Sequence, residues 1–313
     1  MAAADDQVTY AVPSLLELAY YACESDQRTF YDELPVPSVD LRVCCDSILK
    51  IIKFNSSADR FQPSGHLRSM FAKVHPYYLL INNILEMAAF SGHINCMKLG
   101  RAIGVPWFTS DKLLKSACDE AASTGNMECL VYAHTNGSPW SSVTCEFAAE
   151  SDHLECLKYL HENGCPWDEW TCTNAAGSGH IECLVYARRN GCPWDVTSCC
   201  MAAMGGHLQC LVYCRENGCP WDTFTCEMAA SSGRLECLKY ARTNGCPWNE
   251  KTCIVAASKG NVECLRYAIE NGCEWDVKGY LLGVDEDDDP SVVMYALQLM
   301  YGPATDSSST DDE

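Results

Sequence analysis

The sequence predicts an all-α fold, a solenoid of about seven helix–turn–helix repeats, and three observations lead to it. One phrase recurs seven times between residues 85 and 275, and most copies follow each other after 27 residues. Each copy carries small apolar residues at helical spacing, and each ends in a turn signal. Since one copy is too short to bury its own apolar face, neighbouring copies must stack on each other.

The period is marked by two cysteine series and one tryptophan series. The 27-residue period is interrupted once, by six extra residues between Trp107 and Cys118. The first cysteine series precedes an Ala-Ala pair and comprises Cys118, Cys145, Cys172, Cys199, Cys226 and Cys253. The second comprises Cys96, Cys129, Cys156, Cys183, Cys210, Cys237 and Cys264. The tryptophans are Trp107, Trp140, Trp167, Trp194, Trp221, Trp248 and Trp275.

The copy that follows Trp167 illustrates the elements of one repeat. Asp168 is a good N-cap and predicts a first helix over about 169–177. After a Gly-His break, an apolar stripe predicts a second helix over about 181–190. Gly191 suits the left-handed position that ends a helix, and the proline that follows prevents its continuation. The recurring tryptophan, here Trp194, is interpreted as a plug between repeats.

The segment from Ala148 to Cys165 resembles the ankyrin repeat, whose helix pair reads Ala-Ala-x-x-Gly-His-Leu-Glu-Val-Val-Lys-x-Leu-Leu-x-x-Gly-Ala-Asp. The resemblance covers residues 84–276. The usual ankyrin period is about 33 residues, and the residues missing here fall where the β-hairpin finger would be. The resemblance implies an ankyrin-like solenoid with short loops, a fold that binds proteins through its concave side and loops.

The chain divides by pattern into four parts. Residues 81–277 carry the repeats, and residues 1–80 lack the repeat and predict an N-terminal helical region. Residues 278–303 contain a helical apolar stripe and predict a C-terminal cap. Residues 304–313 are rich in Ser and Asp and predict an acidic, disordered tail.

Part of the N-terminal region resembles the SOCS-type box of ubiquitin-ligase substrate receptors. The matching residues are Ser14, Leu15, Leu34, Pro35 and Pro37, while Ala19 stands where such a box has cysteine. The resemblance implies binding of elongin B and C and of a cullin, which would make the chain a substrate receptor. The alternative is a helical region that closes the end of the solenoid.

Charge and hydropathy limit the classes of partner. The formal net charge is −20, with 42 acidic and 22 basic residues. This balance opposes nucleic-acid binding, which depends on Lys and Arg to neutralise phosphates. It favours basic or neutral protein partners. The sequence has no apolar stretch of about 18 residues, so a membrane span is not expected.

The 23 cysteines predict free thiols rather than disulfides. Equivalent cysteines on stacked repeats should lie about 10 Å apart, and a disulfide needs Cα atoms within about 7 Å. The cysteine series are therefore interpreted as small buried hydrophobes. A reducing compartment follows, which is the cytoplasm or the nucleus.

Histidine precedes cysteine by three residues in four repeats, a spacing that zinc would accept. In the other three repeats the same slot holds Asn126, Arg234 and Asn261, so the histidine is replaceable. Phosphate-binding loops, nucleophile elbows and metalloprotease motifs are also missing from the sequence. We therefore predict no catalytic residue, no metal site and no cofactor, and we expect that the protein is not an enzyme.

The repeats differ most in two places, directly after the capping residue and directly after the first-helix cysteine. Side chains that packing does not constrain can serve recognition, and exposed aromatic residues are typical of binding hot spots. Alternatively, these side chains cover neighbouring loops or have drifted. The sequence predicts a protein–protein interaction scaffold whose partner-binding residues are Trp170, Asn174, Thr197, Met201, Phe224, Met228 and Lys251.

Overall fold

A computed structural model describes residues 84–102, 107, 115–284 and 289–302. The predicted N-terminal region and the predicted acidic tail lie outside these residues. The adaptor-box residues Ser14, Leu15, Leu34, Pro35 and Pro37 therefore remain sequence predictions. In the described ranges the secondary structure is helical throughout, which confirms the all-α prediction.

The chain separates into two compact units, residues 1–144 and residues 145–313. The described part of the first unit forms two helix pairs: α1 (Ile84–Phe90), α2 (Ile94–Ala102), α3 (Ala117–Thr124) and α4 (Met127–Thr135). The unit boundary falls within α5 (Ser142–Glu150).

In the second unit, four helix pairs and two terminal helices follow α5 and α6 (Leu154–Glu162). The pairs are α7 (Glu169–Ser178) with α8 (Ile181–Arg189), α9 (Val196–Gly205) with α10 (Leu208–Glu216), α11 (Thr223–Ser231) with α12 (Leu235–Thr243), and α13 (Glu250–Ser258) with α14 (Val262–Glu270). The terminal helices are α15 (Val277–Leu282) and α16 (Pro290–Tyr301). No described helix is both long enough and apolar enough to cross a membrane.

The first helices of the second unit stack on each other because their contact faces are made of small residues. α7 packs on α9, α9 on α11 and α11 on α13. In α7 the contact face consists of Cys172, Ala175 and Ala176, which are fully buried. These residues lie at positions i, i+3 and i+4, so they share one face of the helix. Each second helix of this unit adds at least one fully buried leucine, such as Leu184 in α8 and Leu211 in α10.

The turn after each second helix has the same geometry in successive repeats. In α8 the side-chain amide of Asn190 donates to the carbonyl of Tyr186 at 2.8 Å. Gly191 has φ +86°, and the Cys192 N–H donates to the Ala187 carbonyl at 3.0 Å. This is a Schellman-type helix end, which satisfies the last carbonyls of the helix. It confirms the glycine and proline turn that the sequence predicted.

The tryptophan after this turn joins one repeat of the second unit to the next. The ring of Trp194 meets the ring of Tyr213 edge-on, with centroids 6.2 Å apart. The guanidinium of Arg188 lies 4.5 Å from the centre of the same indole, a favourable cation–π arrangement. The same edge-on contact recurs in Trp167–Tyr186, Trp221–Tyr240 and Trp248–Tyr267. The interpretation of these tryptophans as plugs between repeats is confirmed there.

The replaceable histidine slot has a structural role that explains its variation. Asn261 donates to the carbonyls of Ala230 and Ser231, at 2.9 and 2.8 Å, at the end of the preceding first helix. Arg234 donates likewise to the carbonyl of Met204 at 3.3 Å. His207 hydrogen-bonds the backbone of Gly177. In these three repeats the slot supplies a donor to the backbone at the end of the preceding first helix.

The last described helix covers the final repeat. Asp289 caps α16 by accepting from the N–H of Ser291 at 2.8 Å. Val292 and Ala296 are fully buried, and α16 packs against α14. The boundaries of the C-terminal cap at 278 and 303 remain predictions.

Candidate protein-binding surface

The capping residue of each first helix fixes the backbone of the residue two positions later. Asp168 accepts from the N–H of Trp170 at 3.1 Å, and Asp222 accepts from the N–H of Phe224 at 2.9 Å. Asn249 does the same for Lys251 at 3.0 Å. The cap is thus constant, while the side chain at the second helical position varies freely.

At this second helical position, three of the four predicted residues are exposed. Trp170 and Phe224 keep 48% and 47% of their surface accessible, and Lys251 is also exposed. Exposed aromatic side chains on a rigid helix start can enter a partner's pocket with little loss of conformational freedom. We call Trp170, Thr197, Phe224 and Lys251 the cap row.

Thr197, the fourth member of the cap row, is used by the fold. It is half-buried, its hydroxyl donates to the Asp195 carboxylate, and it lies 3.2 Å from the hydroxyl of Thr173. The expectation that this position is free of packing demands is therefore wrong for Thr197. A small hydroxyl side chain here strengthens the cap, whereas the aromatic residues at the equivalent positions point to solvent.

Asn174, Met201 and Met228 lie one helical turn after the cap row and are half-buried. They share a helix face with the cap row because residues four apart are neighbours on a helix. Met201 lies against Gly177, where an added Cβ would come within 3.1 Å of the Met201 Cβ. Methionine side chains at a partly open position adapt readily to different partners. We call Asn174, Met201 and Met228 the inner row.

The residues directly before the inner row were also expected to vary freely, and two of them are packed instead. Thr173 is buried and lies 2.9 Å from the hydroxyl of Ser198. Cys200 is buried and lies 3.4 Å from the hydroxyl of Thr225. Both join neighbouring first helices, so their variation follows local packing rather than recognition.

A concavity lies between the second helices α6 and α8. It is an open groove of about 330 Å³ that includes Leu154, Ile181, Val185 and Tyr186, with Lys158 and Arg189 at its polar edge. This groove was not predicted from the sequence, because its apolar residues belong to the apolar stripe of ordinary second helices. Lys158 is paired with Glu155 at 2.7 Å.

Twenty cysteines in the described residues are free and buried, as predicted. Burial raises the pKa of Cys183 to about 12 and that of Cys210 to about 11. Such thiols are poor nucleophiles, because the thiolate is the reactive form. Their arrangement suits packing rather than covalent catalysis.

Close approaches between cysteines of one repeat were missed by the sequence reasoning, which compared cysteines of different repeats. Cys172 hydrogen-bonds Cys192, and Cys226 hydrogen-bonds Cys246. The turn after each second helix returns the chain to the start of the first helix, where Cys192 donates to the Asp168 carbonyl at 3.2 Å. One repeat adds a third sulfur to this contact.

Residues 145–188 match the family model described as ankyrin repeats (many copies). No curated protein matches the chain. Among solved structures, the crystal structure of the human ASB11 ankyrin repeat domain is 20% identical, with a TM-score of 0.43, covering 71% of this chain and 99% of that chain. By this family match residues 145–188 carry ankyrin repeats, and the same paired helices and turns recur in the other described repeats of the chain.

Proposed function

We propose that the protein is an interaction scaffold that binds a protein partner through the cap row and the inner row of its first helices. The observation that carries this proposal is the exposure of Trp170 and Phe224, at 48% and 47%, on otherwise uniform capped helix starts. Ankyrin repeats imply protein partners, and a rigid repeat frame with variable exposed positions suits recognition.

The spacing of the two aromatic residues indicates the kind of partner segment. They lie two repeats apart, and packed helices are separated by about 8–10 Å, which places them about 16–20 Å apart. An extended chain covers this distance with about six residues, at roughly 3.3 Å per residue. We therefore propose a partner segment with two apolar anchors about six residues apart.

Charge favours a basic or neutral partner. The net charge of the chain is −20, and Glu169 and Glu250 are exposed at the starts of α7 and α13. Basic side chains between the two apolar anchors would be attracted by these negative charges. Association would become slower as salt screens the attraction.

The proposal can be tested by replacing Trp170 or Phe224 with a photo-crosslinking amino acid in the full-length chain. Cells or lysate are irradiated, and the crosslinked proteins are compared with those captured from position 301. Tyr301 is also exposed, at 78%, but lies on α16, away from the two rows. We expect the same protein to be captured at positions 170 and 224 and not at position 301.

A matched pair of variants completes this test. The Trp170→Ala, Phe224→Ala double variant should lose the captured protein, and Tyr301→Ala should retain it. Equal capture by the double variant and by the unsubstituted chain would overturn the proposed surface.

We also propose a reducing compartment, the cytoplasm or the nucleus. The support is the set of twenty buried free thiols, because such cysteines persist where disulfide formation is suppressed. The proposal includes no catalytic activity.

The alternative function is that of a substrate receptor in an elongin–cullin ubiquitin ligase. It rests on the resemblance at Ser14, Leu15, Leu34, Pro35 and Pro37, outside the described residues. Co-expression of the full chain with elongin B and C tests it, with Leu15→Asp as the variant that should abolish the complex. A folded chain that purifies without elongins would reject this alternative and leave the binding surface untouched.

A further inference from the structure

One repeat of the second unit carries a buried cysteine in its second helix, Cys214, at a position where the other repeats of this unit have none. Cys214 lies in the last turn of α10, and the equivalent residues in the other described repeats of this unit are Leu160, Ala187, Ala241 and Ala268. Cys199, Cys214 and Cys219 are all 0% exposed, and their sulfur atoms lie within 4.8 Å of one another. The other repeats bring two sulfurs together at this place, and this one brings three.

Three separate parts of the repeat hold these sulfurs. Cys199 belongs to α9 and Cys214 to α10, which pack against each other. Cys219 lies in the turn after α10 and donates to the Asp195 carbonyl at 3.1 Å. The backbone of Cys199 also hydrogen-bonds Cys219. The trio is therefore fixed by the same contacts that form every repeat.

The size of the trio matches three-coordinate binding of a metal ion. A metal–sulfur bond of about 2.3 Å in a planar three-sulfur site places the sulfurs about 4 Å apart. Starting from separations of at most 4.8 Å, side-chain rotations of a few tenths of an ångström close the site.

We propose that Cys199, Cys214 and Cys219 form a binding site for a soft, thiophilic ion, with Cu(I) as the ion that the ligand set favours. Thiolate ligands select Cu(I) or zinc among biological metals. Structural zinc sites are almost always four-coordinate, and in the part of the chain that the structure describes no histidine or carboxylate joins the trio. A dry site of three sulfurs suits the lower coordination number of Cu(I).

Binding displaces protons, because thiolates are the ligands. One Cu(I) ion and three thiols give one three-coordinate complex with a net charge of −2 and three released protons. The Cys199 backbone hydrogen bond to Cys219 helps to stabilise that charge. The entry route is the turn itself, where Gly218 and Pro220 are exposed on either side of Cys219.

The first test compares Cu(I) binding by the reduced full chain with binding by two single-cysteine variants. Cys214→Ala restores the alanine of neighbouring repeats and should fold normally. Cys246→Ser removes a sulfur from a two-cysteine repeat, and Ser138 already occupies the equivalent position in another repeat. In competition with a Cu(I) chelator, we expect Cys214→Ala to bind one equivalent fewer than the unsubstituted chain, and Cys246→Ser to bind the same amount.

A gain-of-site variant gives a second, independent readout. Ala241→Cys places a third cysteine beside the hydrogen-bonded pair Cys226 and Cys246. We expect this variant to bind one additional Cu(I) ion. X-ray absorption of the copper should show three sulfur neighbours at about 2.3 Å, and a pH-stat titration should record proton release that is smaller in Cys214→Ala.

Three outcomes would overturn the proposal. The first is equal Cu(I) binding by the unsubstituted chain and by Cys214→Ala. The second is uniform loss with every cysteine variant, which would indicate binding by the two-cysteine pairs of all repeats. The third is one equivalent of Zn(II), lost in Cys214→Ala, with no retained Cu(I), which would assign the trio to a different ion.

Discussion

The two ends of each repeat differ in how freely their sequence varies, although both lie at turns. The turn after the second helix keeps Asn, Gly, Pro and Trp in most copies, because each contributes a contact to its own repeat or the next. At the start of the first helix the capping residue and the buried Thr or Ser three positions later are constrained, whereas the residue two positions after the cap is Trp, Thr, Phe or Lys in four repeats. A hydrogen bond to the backbone N–H fixes conformation without restricting the side chain.

In the proposed function, this difference separates the residues that stabilise the repeats from those that recognise a partner. Buried leucines, positive-φ glycines and caps hold the repeats together, whereas Trp170, Phe224 and Lys251, the exposed members of the cap row, should contribute little to folding. Substitutions should therefore fall into two classes, with large effects on unfolding in the constant frame and small effects on the variable face.

The largest effect is expected from Leu211→Ala in the constant frame. Leu211 is fully buried, and removing such a side chain lowers the free energy of unfolding by about 3 kcal/mol, within a range of roughly 2–5. Urea unfolding followed by tryptophan fluorescence measures the change. Met201→Ala, at a half-buried position of the inner row, should cost clearly less. Equal losses of stability in the two variants would contradict the separation of the constant frame from the variable face.

A glycine pair isolates the contact between repeats from backbone strain. Gly179 and Gly191 have nearly the same φ, +85° and +86°. An added Cβ at Gly179 would lie 2.4 Å from the His207 ring, whereas nothing lies within 4 Å of one at Gly191. We expect Gly191→Ala to lower the free energy of unfolding by about 1 kcal/mol, because alanine is strained in the left-handed backbone conformation. Gly179→Ala should cost about 2 kcal/mol, because His207 must also move.

Thermal and urea unfolding of both glycine variants provide the measurement. Identical losses would show that the His207 ring moves away without cost and that this contact does not couple the repeats.

The N-cap of α9 should contribute less to the free energy of unfolding than a buried core side chain. Asp195 accepts from the N–H of Thr197 at 2.9 Å, and replacing such a cap with alanine costs about 1 kcal/mol. Asp222→Asn is the control, since Asn249 caps α13 in the same way, and its effect should stay within a few tenths of a kcal/mol. If Asp195→Ala leaves the free energy of unfolding unchanged, Ser198 or solvent replaces the cap.

The repeat period and the turn residues were enough to predict the helix pairs, because these elements depend on local sequence. Asp168 and Gly191 mark helix ends whose geometry involves a few neighbouring residues. The tryptophan contacts followed from their register along the chain.

The cysteine trio and the packed Thr197 could not be predicted, since both depend on distances across the repeat. Cys199 and Cys219 are far apart in sequence and meet where the turn returns to the first helix. Cys214 looked like any small residue at an alanine position. For Thr197, the sequence showed variation between repeats but not the hydroxyl contacts with Asp195 and Thr173.

A smaller effect concerns pH and the histidine slot. Burial, followed by the charges of His180 and Arg234, lowers the pKa of His207. The folded state therefore favours neutral His207. Its contribution to stability is present above the ordinary histidine pKa of about 6.5 and is lost as the pH falls through the lowered value.

His207→Asn should reduce this loss, because asparagine reaches the same kind of carbonyls at Asn261. Unfolding midpoints at about pH 8 and about pH 5, compared between the two proteins, measure the difference. If His207→Asn leaves the pH dependence of the unfolding midpoint unchanged, that dependence arises from the other histidines.

The smallest effect on stability is expected on the variable face itself, at Trp170. Its side chain is 48% exposed, and its backbone cap is independent of the indole, so Trp170→Ala should change the free energy of unfolding by less than about 0.5 kcal/mol. The same substitution should weaken partner binding at least ten-fold if Trp170 is an anchor, since such residues contribute about 2 kcal/mol or more. Urea unfolding and titration of the captured partner measure both values on one variant. A large loss of stability would place Trp170 in the constant frame and remove the distinction between the two ends of the repeat.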